Sequence, residues 1–134
     1  MNTSVNAPDL ASTYLRLRPD ASIEPLVVDA GFWPKIATGL LGDFHNEYLV
    51  TLHSYTDQWP QWEMHPNGDE VVCLLSGSID FILEEGAEQR TVSLRGAGQF
   101  VLVSRGTWHT AAIIEPSTLL FITAGEGTQH RAAS

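Results

Sequence analysis

Two histidines and two glutamates carry the chemistry that this chain displays most openly. Glu63 and His65 stand two apart in Trp62-Glu63-Met64-His65, Glu70 follows the stretch Pro66-Asn67-Gly68-Asp69, and His109 ends Arg105-Gly106-Thr107-Trp108-His109 about forty positions later. Imidazole nitrogens and carboxylate oxygens together suit one divalent transition ion, Fe, Mn, Ni, Co or Zn. Calcium would take oxygen ligands alone, and structural zinc favours thiolates. Two carboxylates turned into an apolar interior without a cation would each cost several kcal/mol in lost hydration and would repel one another. A cation offsets both penalties. The competing reading puts Glu63 and Glu70 at a wet rim, each simply paired with a histidine.

The elements that must position these residues are strands. Residues two apart on a strand share a face, so Glu63 and His65 project together while Met64 points away. The Pro66 to Asp69 turn then reverses the chain, and Glu70 opens the next strand beside them. The spacing of β-branched and aromatic residues predicts eight short strands: 48–55, 61–65, 70–75, 78–83, 89–94, 99–103, 107–114 and 118–123. Turn residues separate them, among them Ser76-Gly77, Glu85-Gly86, Gly96-Ala97-Gly98 and Glu115-Pro116. Such a series indicates an all-β sandwich or barrel. Residues 1–45 read as an arm of short strands and turns packing on the barrel, with Tyr14 to Arg18 alternating and a turn of helix within 22–41. Residues 46–124 form the barrel, and 125–134 a polar tail that is either disordered or folded over the opening.

Composition limits the function classes. The chain has 134 residues, 43% hydrophobic, enough for one domain around one core. With a net charge of -9 and 7 basic residues, nucleic acid and anionic membrane surfaces are excluded as expected partners, because binding either requires Lys and Arg to neutralise phosphate. The single Cys73, inside Val71-Val72-Cys73-Leu74-Leu75, reads as a small buried hydrophobe. No run approaches the roughly eighteen apolar residues of a membrane span, and the first residues lack a secretion-signal pattern, so a cytoplasmic location is expected. Segments 71–75, 100–103 and 119–122 are apolar on both faces, which predicts a homodimer packing sheet against sheet. Trp59, Trp62, Trp108 and Tyr55 are candidates to line a substrate pocket, though each of the tryptophans serves equally as core filling. His53, amid apolar neighbours, reads as structural, and His45 and His130 as exposed.

At these residues the chain resembles the cupin superfamily. That family's first motif is Gly, five residues, His-x-His, three or four residues, Glu, six residues, Gly. His65, Glu70 and Gly77 fit its second half, while Glu63 stands in place of the first His and Asp57 in place of the leading Gly. The second motif is Gly, five residues, Pro-x-Gly, two residues, His, three residues, Asn. Gly98, Gly106 and His109 match it, with Ser104 replacing Pro and Ile113 replacing Asn. The resemblance covers residues 46–124. It implies a double-stranded β-helix, or jelly-roll, barrel with a short N-terminal extension, and Glu63, His65, Glu70 and His109 as metal ligands, Glu63 by position only. Glu63 in place of a neutral imidazole makes the ligand set formally dianionic. If it turned away, two histidines and one carboxylate would remain, the ligand inventory of non-haem iron oxygenases.

Two function classes follow. One is a metal-dependent enzyme of dioxygenase, isomerase or lyase type acting on a small polar molecule, with oxygenase chemistry slightly favoured. The other is a non-catalytic module that binds a small ligand or a metal. No residue is singled out as catalytic beyond the ligands.

Overall fold

The computed structural model describes residues 2–133; the outermost residues of the predicted arm and tail, Met1 and Ser134, lie outside them. The described residues form nine strands and one short helix: β1 Thr13–Leu17, β2 Ile23–Val27, α1 Phe32–Ala37, β3 Tyr48–Tyr55, β4 Gln61–Met64, β5 Glu70–Glu85, β6 Glu88–Leu94, β7 Phe100–Val103, β8 His109–Thr123 and β9 Gln129–Ala132. No helix among the described residues is long and apolar enough to cross a membrane.

Two long strands organise everything else. β5 and β8 pair antiparallel along almost their whole length, from Val71 opposite Ile122 to Leu83 opposite His109. The first half of β5 also pairs with β7, and its second half with β6. The late half of β8 pairs with β3, which carries β1 and β2 beyond it, whereas the start of β8 meets β4, which carries β9. Each long strand therefore serves both sheets of a jelly-roll barrel, bending from one into the other.

The eight predicted strands are corrected at this bend. Ser76-Gly77 and Glu115-Pro116 are not turns between separate strands. They are facing kinks within β5 and β8, where the register shifts between Leu74 and Ile79 but the pairing resumes. Because the two kinks lie against each other, the ladder survives the corner. Ser117 knits it together: its Oγ donates to the Glu115 carbonyl at 2.7 Å and accepts the Ser78 N–H at 2.9 Å. Gly77 sits there with φ +93°, and a Cβ at this position would collide with Ser117 Oγ and the Pro116 carbonyl. Gly77→Ala is expected to destabilise the protein by about 3 kcal/mol or more, combining left-handed backbone strain with overpacking, as read from urea unfolding midpoints.

Inside the barrel lies an aliphatic and aromatic core of Val72, Leu74, Ile79, Phe81, Leu83, Leu94, Val101, Val103, Ala111, Ile113, Leu119 and Phe121. A second cluster, Tyr14, Phe32, Phe44 and Leu49, fixes the N-terminal segment and α1 against β3. The buried Arg16 strengthens that join: its guanidinium lies 2.8 Å from Glu47 and over the Phe44 ring at 4.1 Å. Residues of the predicted polar tail also take a defined course. Gln129 to Ala132 form β9 along β4, with His130 directly opposite Glu63.

Candidate metal centre

β4 with the residue that follows it, the start of β5 and the start of β8 bring the four predicted ligands to one place. Glu63, His65 and His109 each present a ligand atom within 4.8 Å of the others. Glu70 lies against both imidazoles, with Oε2 3.4 Å from His65 Nε2 and Oε1 3.2 Å from His109 Nε2. Glu63 faces inward, its Oε2 3.7 Å from His65 Nε2, and its other oxygen is 3.6 Å from His130 Nε2. His65, Glu70 and His109 are buried, with His109 fully enclosed, whereas the Glu63 side chain retains 28% exposure.

The hydrogen bonds behind the histidines decide which nitrogen each offers. The Thr107 carbonyl can only accept, so His109 Nδ1 donates to it at 3.0 Å. Thr128 Oγ1 spends its one proton on the Gly125 carbonyl at 2.8 Å, and so it accepts from His65 Nδ1 at 2.9 Å. In its neutral form each ring therefore keeps its proton on Nδ1 and turns a bare Nε2 lone pair to the cluster. Thr123 Oγ1 donates to Glu70 Oε2 at 2.7 Å and orients that carboxylate in the same way. The inner atoms left over, His65 Nε2, His109 Nε2 and Glu70 Oε1, are buried without a hydrogen-bond partner among the described residues. At 3.4 Å from His65 and 3.2 Å from His109, the Glu70 oxygens are close to both Nε2 atoms without forming a hydrogen bond, the arrangement of atoms aimed at a common point. Orphaned buried polar atoms are costly, and three of them converging here fit a metal ion.

Electrostatics agree with a strongly coupled cluster. Burial pushes the Glu70 carboxyl up, but His109 and His65 outweigh it and hold the group down at about 2. Burial likewise disfavours the His109 imidazolium, yet the Glu70 carboxylate beside it raises its pKa overall. The Tyr55 hydroxyl is pushed up by burial and further by Glu63 and Glu70, so it remains a neutral donor.

Of the predicted pocket residues, Tyr55 and Trp59 line a cavity of about 440 Å³ that opens onto Glu63, His65 and Glu70. Trp62 and Trp108 do not line it, and that expectation is corrected. Strand alternation turns Trp62 away from the side of Glu63, and the Arg131 guanidinium lies over both indoles, 5.1 Å from Trp62 and 4.7 Å from Trp108. The cavity wall instead includes His53 and His130, read from sequence as structural and exposed. Thr128 and Thr123 were not anticipated at all. The only sequence signal for Thr128 and His130 is their two-residue spacing in a polar segment. Thr128→Val is expected to weaken divalent ion binding roughly 10- to 100-fold with little change in melting temperature, as measured by competition with a chromogenic chelator.

No protein-family profile matches the sequence, and a comparison with curated proteins gives no match. Among solved structures, the chain is similar to an oxalate oxidase, with a TM-score of 0.51 and 13% identity over 60% of this chain and 44% of that one. It is also similar to a cupin-2 domain protein from Shewanella frigidimarina, with a TM-score of 0.48 and 20% identity over 57% and 69% of the two chains. A hydroquinone 1,2-dioxygenase from Sphingomonas, solved with 4-hydroxybenzoate, gives 0.49 and 19% over 57% and 59%. The architecture is a jelly-roll β-barrel, the fold that these solved cupin structures share. At these identities the likeness establishes the fold, and the matched region spans less than two thirds of the oxidase and dioxygenase chains.

Proposed function

We propose that this chain is a metal-dependent enzyme acting on a small molecule held in the cavity, with Glu63, His65, Glu70 and His109 holding one divalent transition ion. The observation that carries this reading is the convergence of three buried, unpartnered ligand atoms, His65 Nε2, His109 Nε2 and Glu70 Oε1, at the inner end of a substrate-sized cavity. Such an ion supplies Lewis acidity toward a substrate oxygen or, if redox-active, electron transfer with dioxygen. The protein's own groups do the remainder. Thr107, Thr123 and Thr128 fix the ligand orientations, burial of His65, Glu70 and His109 excludes water from the inner side, and Tyr55 offers a neutral hydroxyl to a substrate oxygen.

One observation favours a second reading. Glu63 faces the cluster, so a His2Glu2 set leaves fewer open positions than a three-ligand site, which suits a binding module without turnover. Oxygen uptake by the Fe(II)-loaded protein, measured with catechols, diketones and thiols, separates the readings. Uptake above that of the His65→Ala variant supports an oxygenase. A loaded protein inert to these substrates and to enolisable sugars would leave the binding module.

The outer face of β7, β5 and β8 supports a homodimer. Phe100 and Leu102 are 58% and 61% exposed, opposite the half-buried Cys73 and Val71, and Leu120 and Ile122 continue the same apolar strip. A chain of charge -9 repels its copies wherever charge is displayed, so this uncharged face is where a second copy docks. Sedimentation velocity at micromolar concentration is expected to show a dimer, and Leu102→Glu a monomer.

A further inference from the structure

Beyond the ligands, the cavity has a chemistry of its own. Trp33, His53, Tyr55, Trp59 and Phe121 line it, with α1 and Phe44 closing the side away from β4. Their rings form a connected cage: Tyr55 to Trp59 is 5.6 Å between centroids, Trp59 to Phe121 6.0 Å, Phe121 to His53 5.7 Å and His53 to Trp33 6.3 Å. Tilted and edge-on pairs at such spacings leave ring faces and edges free for another flat molecule.

Charge narrows what that molecule is. No Lys or Arg belongs to the cavity wall among the described residues, so a phosphate has no counter-cation from the protein. The acidic groups at the wall, Glu63 and Glu70, are the ones a divalent ion would neutralise, which removes the attraction for a cationic ligand. His53 adds no charge, since burial holds its imidazole in the neutral form. Hydrogen-bonding capacity points to oxygen: the Trp59 indole N–H is buried without an acceptor among the described residues, and Tyr55 keeps its proton.

Resting on the metal-site reading above, we propose that the cavity binds a neutral, planar aromatic molecule bearing a ring oxygen, a phenol or aryl carbonyl, with its ring among Trp33, His53, Tyr55 and Trp59 and its oxygen toward Glu63 and His65. Trp33, on the short α1 and half exposed, is the wall residue that α1 contributes to the aromatic cage, and its ring neighbours are Tyr14, Phe32 and His53.

Ligand-observed NMR titrations of the full chain, metal-free and Zn(II)-loaded, test this with four probes of similar size: phenol, cyclohexanol, benzylammonium and phenyl phosphate. The expected result is phenol binding to the Zn(II)-loaded protein at least about tenfold tighter than each of the others. Trp33→Ala should weaken phenol by roughly three- to tenfold, the equivalent of one aromatic pair, and leave zinc stoichiometry unchanged; Trp33→Leu, which keeps the helix packed, should weaken it likewise. Equal binding of phenol and cyclohexanol, or tighter binding of either ion, by a protein that holds one zinc would overturn the proposal and leave the metal site standing. A phenol preference in a protein that takes up no zinc would do the reverse.

Discussion

His109→Ala is expected to lower affinity for a divalent transition ion by more than the 10- to 100-fold that loss of an outer hydrogen-bond partner produces, which at micromolar protein amounts to loss of the ion. His109 is fully enclosed, its Nδ1 is committed to the Thr107 carbonyl, and its Nε2 points to Glu70 and the cluster without another partner. Removing the ring also leaves Glu70 buried with one imidazole fewer to offset its charge, so the metal-free variant is less stable than the metal-free parent. His109→Gln, which keeps a polar side chain of similar reach, separates the two effects: it should retain most of the fold and still lose the ion. Titration with Co(II), followed by its visible absorbance, measures both variants. Affinity should also fall in the parent as pH drops through the imidazole range, because protons and the ion compete for the same Nε2 lone pairs.

Phe81→Ala is expected to destabilise the protein by roughly 3–5 kcal/mol and to lower the melting temperature by roughly 10–20 °C. Phe81 is completely buried at the centre of the barrel, stacked on the His109 ring at 5.4 Å and edge-on to Trp59 at 5.9 Å. Its loss opens a cavity between the aliphatic core and the ion-binding end. The substitution therefore has a second consequence: His109 loses the surface that holds its ring plane, and ion affinity falls with stability. Saturating Zn(II) should recover part of the melting temperature, since an ion that binds the folded state alone stabilises it by mass action. Phe81→Leu, with a smaller void, should show both effects at reduced size.

Much of the site was legible because its geometry is local or motif-bound. Glu63 and His65 share a face by simple alternation, Glu70 is one turn away, and His109 follows a glycine turn at a spacing that recurs in the cupin motifs. The same alternation excludes Trp62 and Trp108, each next to an inward-facing ligand, so that correction was available from the sequence. The bends in β5 and β8 were not. Ser76-Gly77 and Glu115-Pro116 carry ordinary turn residues, and only their mutual pairing across the barrel shows that the strands run on. Thr128 and His130 were hidden for a related reason: a short polar segment has no hydrophobic pattern, and the place of β9 beside β4 is set by pairing between distant segments. His53 looked structural because its sequence neighbours are apolar, but that same β3 face forms the cavity wall.

Ion stoichiometry tests the central claim most directly. The full chain, stripped with a chelator, reloaded anaerobically with Fe(II), Mn(II) or Zn(II) and freed of excess ion, would be analysed for metal by mass spectrometry beside the His65→Ala, His109→Ala double variant. The convergent site predicts close to one ion per folded chain in the parent and none in the double variant. A folded parent that retains no ion, or a double variant that retains as much as the parent, would contradict it.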